Sequence, residues 1–144
     1  NSPEIGVRIG QLYGKELAAS GDPLPDVIVP IPLHPKKQVI RGYNQSERFA
    51  EGLSQSLKIP VDTKNFIRKT FTETQTRKSR FDRWSNVKDI FYCVNPELFN
   101  HKHILLVDDV ITTGSTIESS AQKLLSFDNI ELKISVAAIA VASR

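Results

Sequence analysis

The sequence predicts an α/β domain with a single, mostly parallel five-stranded sheet that carries helices on both faces. Two observations support this prediction. Strand-like apolar runs alternate along the chain with segments of helical periodicity, which is the pattern of a parallel sheet. The runs at 27–31 and 132–142 are nearly continuous in apolar residues, as expected of strands that are buried on both faces. The length of 144 residues is sufficient for one domain with one core.

An N-terminal helix is predicted within residues 1–22, and residues 26–144 are predicted to form the core of the same domain. Ser2 precedes a proline at the first helical position, and Gly21 ends the helix. Three glycines share one helix face: Gly6, Gly10 and Gly14. They fit close approach of another backbone or subunit, as in a homodimer. They also fit a weak terminal helix, since each glycine costs about 1 kcal/mol relative to alanine. The weak helix is the preferred interpretation.

The other elements follow in chain order. Strands or extended segments are predicted at 27–31, 60–69, 90–94, 103–107 and 132–142. Helices are predicted to begin after Asn44 as an N-cap, at Ser79, and at Ser115 or Thr116. Pro30 lacks an N–H donor, so the first strand ends or becomes irregular there. The segment between that strand and Asn44 is predicted to be a loop rich in proline and lysine.

Composition and charge exclude several classes of protein. No apolar run approaches the roughly 20 residues of a membrane span, and the start has no secretory pattern. The single cysteine, Cys93, excludes an internal disulfide and a Cys-rich metal site within this chain, so a cytoplasmic location is expected. The net charge of +3 fits anionic ligands in general. The absence of methionine indicates a piece of a longer protein.

The most informative segment is a buried strand that leads into two acids and a hydroxyl-rich turn. The apolar residues 104–107 are followed by Asp108 and Asp109, and Thr-Thr-Gly-Ser-Thr at 112–116 then opens a helix. Ligands of open α/β sheets bind at the carboxyl ends of the strands. A helix N-terminus stabilises an anion such as phosphate, and Gly114 allows close approach of the backbone to it.

The two acids would repel a phosphate that touched them. They are better suited to accept hydrogen bonds from neutral hydroxyls a few ångströms away, or to hold a cation. A ribose 5-phosphate, with a phosphate at one end and a diol in the middle, fits this layout. The alternative is that Asp108 and Asp109 only cap the following helix. A single acid would suffice for capping, so the ligand-binding interpretation is preferred.

This segment resembles the phosphoribosyl diphosphate (PRPP) binding motif of type I phosphoribosyltransferases. Two further segments resemble the competence protein F (ComF-like) branch of that family. The first is Val-Pro-Ile-Pro-Leu-His-Pro at 29–35 with Arg-Gly-Tyr-Asn-Gln at 41–45. The second, within 75–91, comprises Gln75, Thr76, Ser79, Arg80, Arg83, Asn86, Val87 and Phe91. Two features depart from that branch: its four-cysteine zinc ribbon is absent, and Lys78 replaces an aliphatic residue.

The resemblance implies the type I phosphoribosyltransferase fold and a role for each matching residue. Asp108 and Asp109 would contact the ribose hydroxyls and, with Arg80, form the catalytic set. The 5-phosphate would be held by Thr112, Thr113, Gly114, Ser115 and Thr116. The diphosphate would be bound by Leu33, His34, Pro35, Lys36, Arg41 and Arg77. Mg²⁺ would arrive with PRPP, and no protein ligand to it is assigned. His34 has an equal alternative, a loop histidine satisfied by backbone.

The segment 68–88 is strongly basic, with seven cationic residues against two acids. The resemblance implies a flexible catalytic loop here, which would close over the ligand and exclude water. A solvated surface and a nucleic-acid patch are the alternatives. Arg80 is the first choice for a diphosphate contact in this loop, and Arg77 is the second.

The resemblance implies an enzyme that binds Mg²⁺–PRPP and transfers the phosphoribosyl group to a nitrogen nucleophile, with release of diphosphate. An amidophosphoribosyltransferase-like reaction and nucleobase salvage both fit, and the acceptor stays open. The alternative is a competence or DNA-uptake accessory that binds single-stranded nucleic acid, with the PRPP motif inactive or acting as a sensor. A third alternative is a regulator that binds a nucleotide without chemistry.

Overall fold

The computed structural model describes residues 2–69 and 90–142. Its elements, in chain order, are α1 (Pro3–Ala19), β1 (Val27–Pro30), α2 (Pro35–Arg41), α3 (Gln45–Leu57), β2 (Phe66–Arg68), β3 (Phe91–Cys93), a 3₁₀ turn (Pro96–Phe99), β4 (Lys102–Ile111), α4 (Ser115–Leu124) and β5 (Leu132–Val141). Within the described ranges, no helix is both long and apolar enough to cross a bilayer.

Within residues 2–69 and 90–142 the strands form two sheets, so the prediction that five strands share a single sheet is wrong, whereas the α/β class and a parallel sheet are confirmed. A parallel sheet has the order β1–β4–β5, and β2 pairs with β3 in a separate antiparallel ribbon. The β2–β3 ribbon pairs Phe66 with Cys93 and Arg68 with Phe91. Next to it, Lys69 N donates to Ile90 O at 2.8 Å. At the other edge of β1, Val61 forms an isolated parallel bridge with Ile28.

The central strand β4 is buried on both faces and separates two apolar clusters. Leu105 and Val107 pack with the apolar side of α3, whereas Ile104 and Leu106 pack with Leu124 of α4 and with the β2–β3 ribbon. This alternation follows from the two-residue period of a strand. It confirms the prediction of helices on both faces, and it sets the direction of every side chain farther along β4.

Helix α1 packs closely against α3 within the same chain, so the preferred interpretation of its glycines as a weak terminal helix is wrong. A Cβ atom on Gly10 would overlap the Phe49 carbonyl oxygen and lie 2.9 Å from Gly52 Cα. Ser56 Oγ donates to Gln11 O at 2.8 Å across the same interface. The glycines therefore permit close approach of another backbone, and in this structure that backbone belongs to α3.

The proline- and lysine-rich segment after β1 contains helix α2, which the sequence analysis predicted as loop. Pro35 stands at its first turn, and Gly42 ends it in the left-handed conformation with φ 80°. Such a glycine is a common helix stop because it lacks the Cβ that penalises positive φ. The predicted beginnings of α3 after Asn44 and of α4 at Ser115 are confirmed.

Candidate functional site

The carboxyl ends of β1 and β4 lie side by side because the two strands are parallel neighbours. Ile31 N donates to Val107 O at 2.8 Å just past β1. Asn44 is buried, and its Nδ2 donates to Ile31 O at 3.1 Å while its Oδ1 accepts from Ser46 N at 3.1 Å. Asn44 therefore joins the start of α3 to the end of β1 and brings both beside Asp108.

The two acids lie inside β4, which continues to Ile111, and not beyond its end as the sequence analysis predicted. Because side chains alternate along β4, the Asp109 side chain lies on the face covered by α1 and α3, whereas the Asp108 side chain leaves the strand on the α4 face. Asp108 Oδ1 accepts from Ser46 Oγ at 3.2 Å and from Asp109 N at 2.8 Å. Burial raises the pKa of the Asp108 carboxyl, and the neighbouring Asp109 adds to that effect. The sequence did not predict a role for Ser46. The only signal for this residue was its position two residues after the N-cap Asn44.

Residues 112–116, here called the hydroxyl turn, form a small concavity that Asp108 also lines. Gly114 is the N-cap of α4, with φ 81° and no side-chain cap hydrogen bond. Thr113 Oγ1 donates to Ser115 Oγ at 3.0 Å. Ser115 N donates to Thr113 Oγ1 at 3.4 Å. The following amides of the first turn of α4 have no acceptor within the helix and lie beside exposed hydroxyls, which is a suitable arrangement for an anion. All five residues predicted for the 5-phosphate come together here: Thr112, Thr113, Gly114, Ser115 and Thr116.

Most of the residues predicted for the diphosphate lie at the start of α2. His34 Nδ1 accepts from Lys36 N at 3.2 Å, so this histidine is the N-cap of α2. This is the backbone-satisfied alternative, and it leaves Nε2 for any ligand. Leu33 and His34 are partly buried, whereas Pro35 and Lys36 are exposed. Arg41 Nη1 donates to Gln45 Oε1 at 2.7 Å, which holds the guanidinium at the start of α3. Arg77 and Arg80 lie outside the described residues, as do the helix predicted from Ser79 and most of the segment 68–88.

A second concavity, here called the α1 cavity, was not predicted. It has a volume of about 310 Å³ and lies between the first two turns of α1, the start of α3 and the far ends of β4 and β5. Asp109 lines it, together with Gly6, Tyr43, Gln45, Arg48 and Ile139. These residues come from four separated stretches of the chain, so no local pattern marks the cavity in the sequence.

The site offers a metal ion few protein donors. Among residues 2–69 and 90–142, no group of three or more His, Cys, Asp or Glu side chains converges. Asp108 supplies carboxylate oxygens at the edge of the hydroxyl turn, whereas Asp109 lines the α1 cavity. Mg²⁺ usually binds through one or two carboxylates, substrate phosphates and several waters. The residues present therefore fit a Mg²⁺ ion that arrives with a phosphorylated ligand.

The phosphoribosyl transferase domain family matches residues 43–143 of this chain. The chain is 37% identical over 113 residues to competence protein F of Haemophilus influenzae, with 77% of this chain and 49% of that protein covered. It is 36% identical over 126 residues to the DNA utilization protein YhgH of Salmonella typhi, with coverage of 85% and 55%. The chain thus spans about half the length of these curated relatives.

Solved structures share the fold at lower sequence identity. The glutamine PRPP amidotransferase of B. subtilis matches with a TM-score of 0.58 at 21% identity, over 91% of this chain and 26% of that one. A purine phosphoribosyltransferase of Pyrococcus horikoshii matches with a TM-score of 0.53 at 19% identity, over 95% and 74%. These similarities confirm the predicted type I phosphoribosyltransferase fold.

Proposed function

The chain belongs to the phosphoribosyl transferase domain family, in its ComF-like branch, and from that premise we propose that it is a phosphoribosyltransferase acting on Mg²⁺–PRPP in the cytoplasm. The acceptor is a nitrogen nucleophile, and diphosphate is released. One observation carries this proposal: β4 delivers Asp108 to the same concavity as the hydroxyl turn at the N-terminus of α4. A carboxylate beside an anion site suits a ligand that bears a diol next to a phosphate.

Each part of the ligand has a matching group in the described residues. The amides and hydroxyls of residues 112–116 would bind the 5-phosphate. Asp108 would accept hydrogen bonds from the ribose hydroxyls, and Ser46 Oγ, 3.2 Å from Asp108 Oδ1, holds that carboxylate in place. Lys36, Arg41 and the free nitrogen of His34 would face the diphosphate. Mg²⁺, when bound with PRPP, would neutralise the charge of the leaving diphosphate.

The acids also have a part in the reaction. The bond from C1 of the ribose to the diphosphate oxygen breaks, the diphosphate leaves with the electron pair, and the nucleophile nitrogen bonds to C1 while losing a proton. Positive charge develops on the sugar as the leaving group departs. Asp108, held by Ser46 Oγ and Asp109 N, would stabilise that charge without having to reorganise, and the charge of the neighbouring Asp109 would add to the effect. Arg80, outside the described residues, completes the catalytic set we propose.

The proposal is tested by calorimetric titration of PRPP into the chain with and without Mg²⁺. We expect binding that requires Mg²⁺ and that weakens at least 100-fold in the double variant Asp108→Asn/Asp109→Asn. The exposed Asp22→Asn should bind as the unchanged chain does. At a ligand concentration 100 times Kd, binding should stabilise the fold by about 2.7 kcal/mol, which a melting curve checks. Equal affinity in the double variant and the unchanged chain would contradict the assignment.

A second candidate function is binding of single-stranded nucleic acid. It is favoured by the printed names of the relatives, one a competence protein and one a DNA utilization protein. The exposed helix α2 carries no acid and three cationic residues, Lys36, Lys37 and Arg41. Val39 and Ile40 lie between Lys37 and Arg41, and each is 84% exposed. The three cations suit the charged backbone of a single strand, and the aliphatic side chains offer its bases apolar contact.

Salt dependence separates the two candidates. Binding of a fluorescent oligothymidylate should weaken steeply and linearly with log salt concentration if α2 contacts the backbone, and Lys37→Ala should lower the slope by about 1. PRPP binding should keep its requirement for Mg²⁺ and for both acids. An oligonucleotide affinity that is independent of salt would remove the second candidate.

A further inference from the structure

The α1 cavity has the size of a small-molecule site and is separate from the proposed phosphate site. Its volume of about 310 Å³ is at the lower end of the roughly 300–1,000 Å³ of ligand pockets. Its walls come from α1, the start of α3 and the far ends of β4 and β5, and residues 112–116 line no part of it. A small molecule in this cavity therefore leaves the hydroxyl turn free.

The α1 cavity is lined by one carboxylate and one guanidinium that do not pair with each other. Among the described residues, Asp109 is its acidic lining residue and Arg48 its cationic one, and no ion pair in that part of the chain joins them. Arg48 Nη1 lies 3.0 Å from Glu51 Oε2 instead, and Asp109 Oδ1 accepts from Val110 N at 2.8 Å. Asp109 Oδ2 and the remaining guanidinium donors are therefore left for a ligand.

The rest of the lining combines an amide donor with an apolar wall. Gln45 Oε1 accepts from Arg41 Nη1 at 2.7 Å, so the Nε2–H groups of Gln45 remain as donors to an oxygen of a ligand. Ile9 and Ile139 line the cavity and pack against the core cluster that includes the apolar side of α3. The cavity thus offers an anionic group, a cationic group with a neighbouring amide, and an apolar surface.

The two opposite charges restrict the class of ligand. A phosphate ester or another net anion would place negative charge beside Asp109, and a simple amine would place positive charge beside Arg48. Like charges that meet in one site repel, which selects against both kinds of molecule. An uncharged ligand would displace water from both groups and give neither an opposite charge. A molecule that carries an ammonium and a carboxylate satisfies both groups.

We propose that the α1 cavity binds a free amino acid with an apolar side chain. The ammonium of the amino acid binds Asp109, and its carboxylate binds Arg48 and Gln45. Its side chain lies against Ile9 and Ile139, which removes apolar surface of both from water. The inference needs neither PRPP nor the hydroxyl turn, so it does not rest on the proposed transferase function.

The inference is tested by titration of three probes, followed by isoleucine-methyl NMR spectra, which detect weak binding. The probes are leucine, 4-methylpentanoate, which lacks the ammonium of leucine, and 3-methylbutylamine, which lacks its carboxylate. We expect leucine to shift the methyl signals of Ile9 and Ile139, and each single-charge probe to bind at least about 10-fold more weakly, because each loses one charged hydrogen bond. Methyl signals that leucine does not shift, or equal binding of all three probes, would overturn the proposal.

The ammonium contact has a matched pair of variants at consecutive residues of β4. Asp109→Asn removes the negative charge that lines the cavity, whereas Asp108→Asn makes the same change at a residue that does not line it. We expect Asp109→Asn to weaken leucine binding at least about 10-fold without weakening 4-methylpentanoate binding, because only leucine loses an opposite charge. Asp108→Asn should leave leucine binding within about 2-fold. Leucine binding that is equal in the two variants would contradict the contact with Asp109.

The carboxylate contact has its own pair of variants. Arg48→Met removes the guanidinium and keeps an unbranched side chain, whereas Glu51→Gln breaks the same Arg48–Glu51 ion pair and keeps the cation. We expect Arg48→Met to weaken the binding of leucine at least about 10-fold and to leave that of 3-methylbutylamine no weaker, because the amine has no carboxylate to lose. Glu51→Gln should leave leucine binding within about 2-fold. A loss of leucine binding of the same size in both variants would contradict a direct contact with Arg48.

A last titration separates this inference from the proposed transferase function. Leucine should still shift the methyl signals of Ile9 and Ile139 when Mg²⁺–PRPP is present at saturation, because the two ligands contact different lining residues. Displacement of leucine by Mg²⁺–PRPP would show that the cavity belongs to the PRPP site and would overturn the inference. Leucine binding in a chain that binds no PRPP would overturn the transferase proposal and leave the amino-acid site standing.

Discussion

The hydroxyl turn and the α1 cavity flank the same two acids and are built in opposite ways. The hydroxyl turn consists of five consecutive residues whose backbone is fixed by Gly114 and the start of α4. The α1 cavity has walls from α1, α3, β4 and β5, which only tertiary packing brings together. The turn should therefore survive changes that distort the packing of α1, whereas the cavity should not.

The largest effect is expected where α1 meets α3. A Cβ atom on Gly52 would overlap the Val7 carbonyl oxygen and lie 2.9 Å from Gln11 N. Gly52→Ala should lower the free energy of unfolding by about 1–3 kcal/mol through overpacking, although helix propensity alone would raise it by about 1 kcal/mol. Urea denaturation measures the change. At Gly6 the nearest atom is the Arg48 Cβ at 3.1 Å, so Gly6→Ala should cost less, and an equal cost would contradict the contact.

The next effect concerns the buried Ser46, which supports the acid of the turn from α3. Ser46→Ala removes the 3.2 Å hydrogen bond to Asp108, and a bond to a charged group contributes about 1.5–3 kcal/mol. PRPP affinity should fall about 10-fold or more by titration. Ser54→Ala is the matched control at the other end of α3, because it loses a 2.7 Å bond to Ile59 O. Should both variants bind PRPP equally well, Ser46 has no role in positioning Asp108.

The smallest effect is a dependence of stability on pH. Burial raises the pKa of Asp108 in the folded chain above its ordinary value, so the folded state holds this proton more tightly than the unfolded state does. The free energy of unfolding should therefore decrease as pH rises from the ordinary carboxyl pKa through the raised one. Asp108→Asn should abolish that decrease and be more stable at neutral pH, as measured by urea denaturation across the pH range. A variant less stable than the unchanged chain at neutral pH would contradict the account.

The sequence predicted the parts of the site that depend on neighbouring residues. Asn44 and the start of α4 were found because caps and glycine turns are local signals. The strand–acid–turn segment was found because one apolar run, two acids and one glycine are consecutive. The family resemblance predicted the type I phosphoribosyltransferase fold, whereas residue patterns alone predicted only the α/β class.

The rest could not be predicted because it depends on which segments meet. The division of the strands into two sheets follows from the pairing of Phe66 with Cys93 and of Arg68 with Phe91, which no single segment encodes. The role of Gly10 follows from its partner Gly52, 42 positions away by numbering. His34 caps the short helix α2, and Pro32 and Pro35 stand on either side of it in the sequence. Because prolines are frequent in loops, the composition of this segment favoured a loop.

We propose that the hydroxyl turn at 112–116 is the part of the chain that binds the phosphate of PRPP. Amide ¹H–¹⁵N NMR spectra recorded during titration with Mg²⁺–PRPP test it most directly. The account predicts the largest shifts at the amides of Gly114, Ser115 and Thr116, with small changes at Gly6 and Ile9. Unchanged signals at residues 112–116 under saturating ligand, or shifts confined to α1, would contradict it.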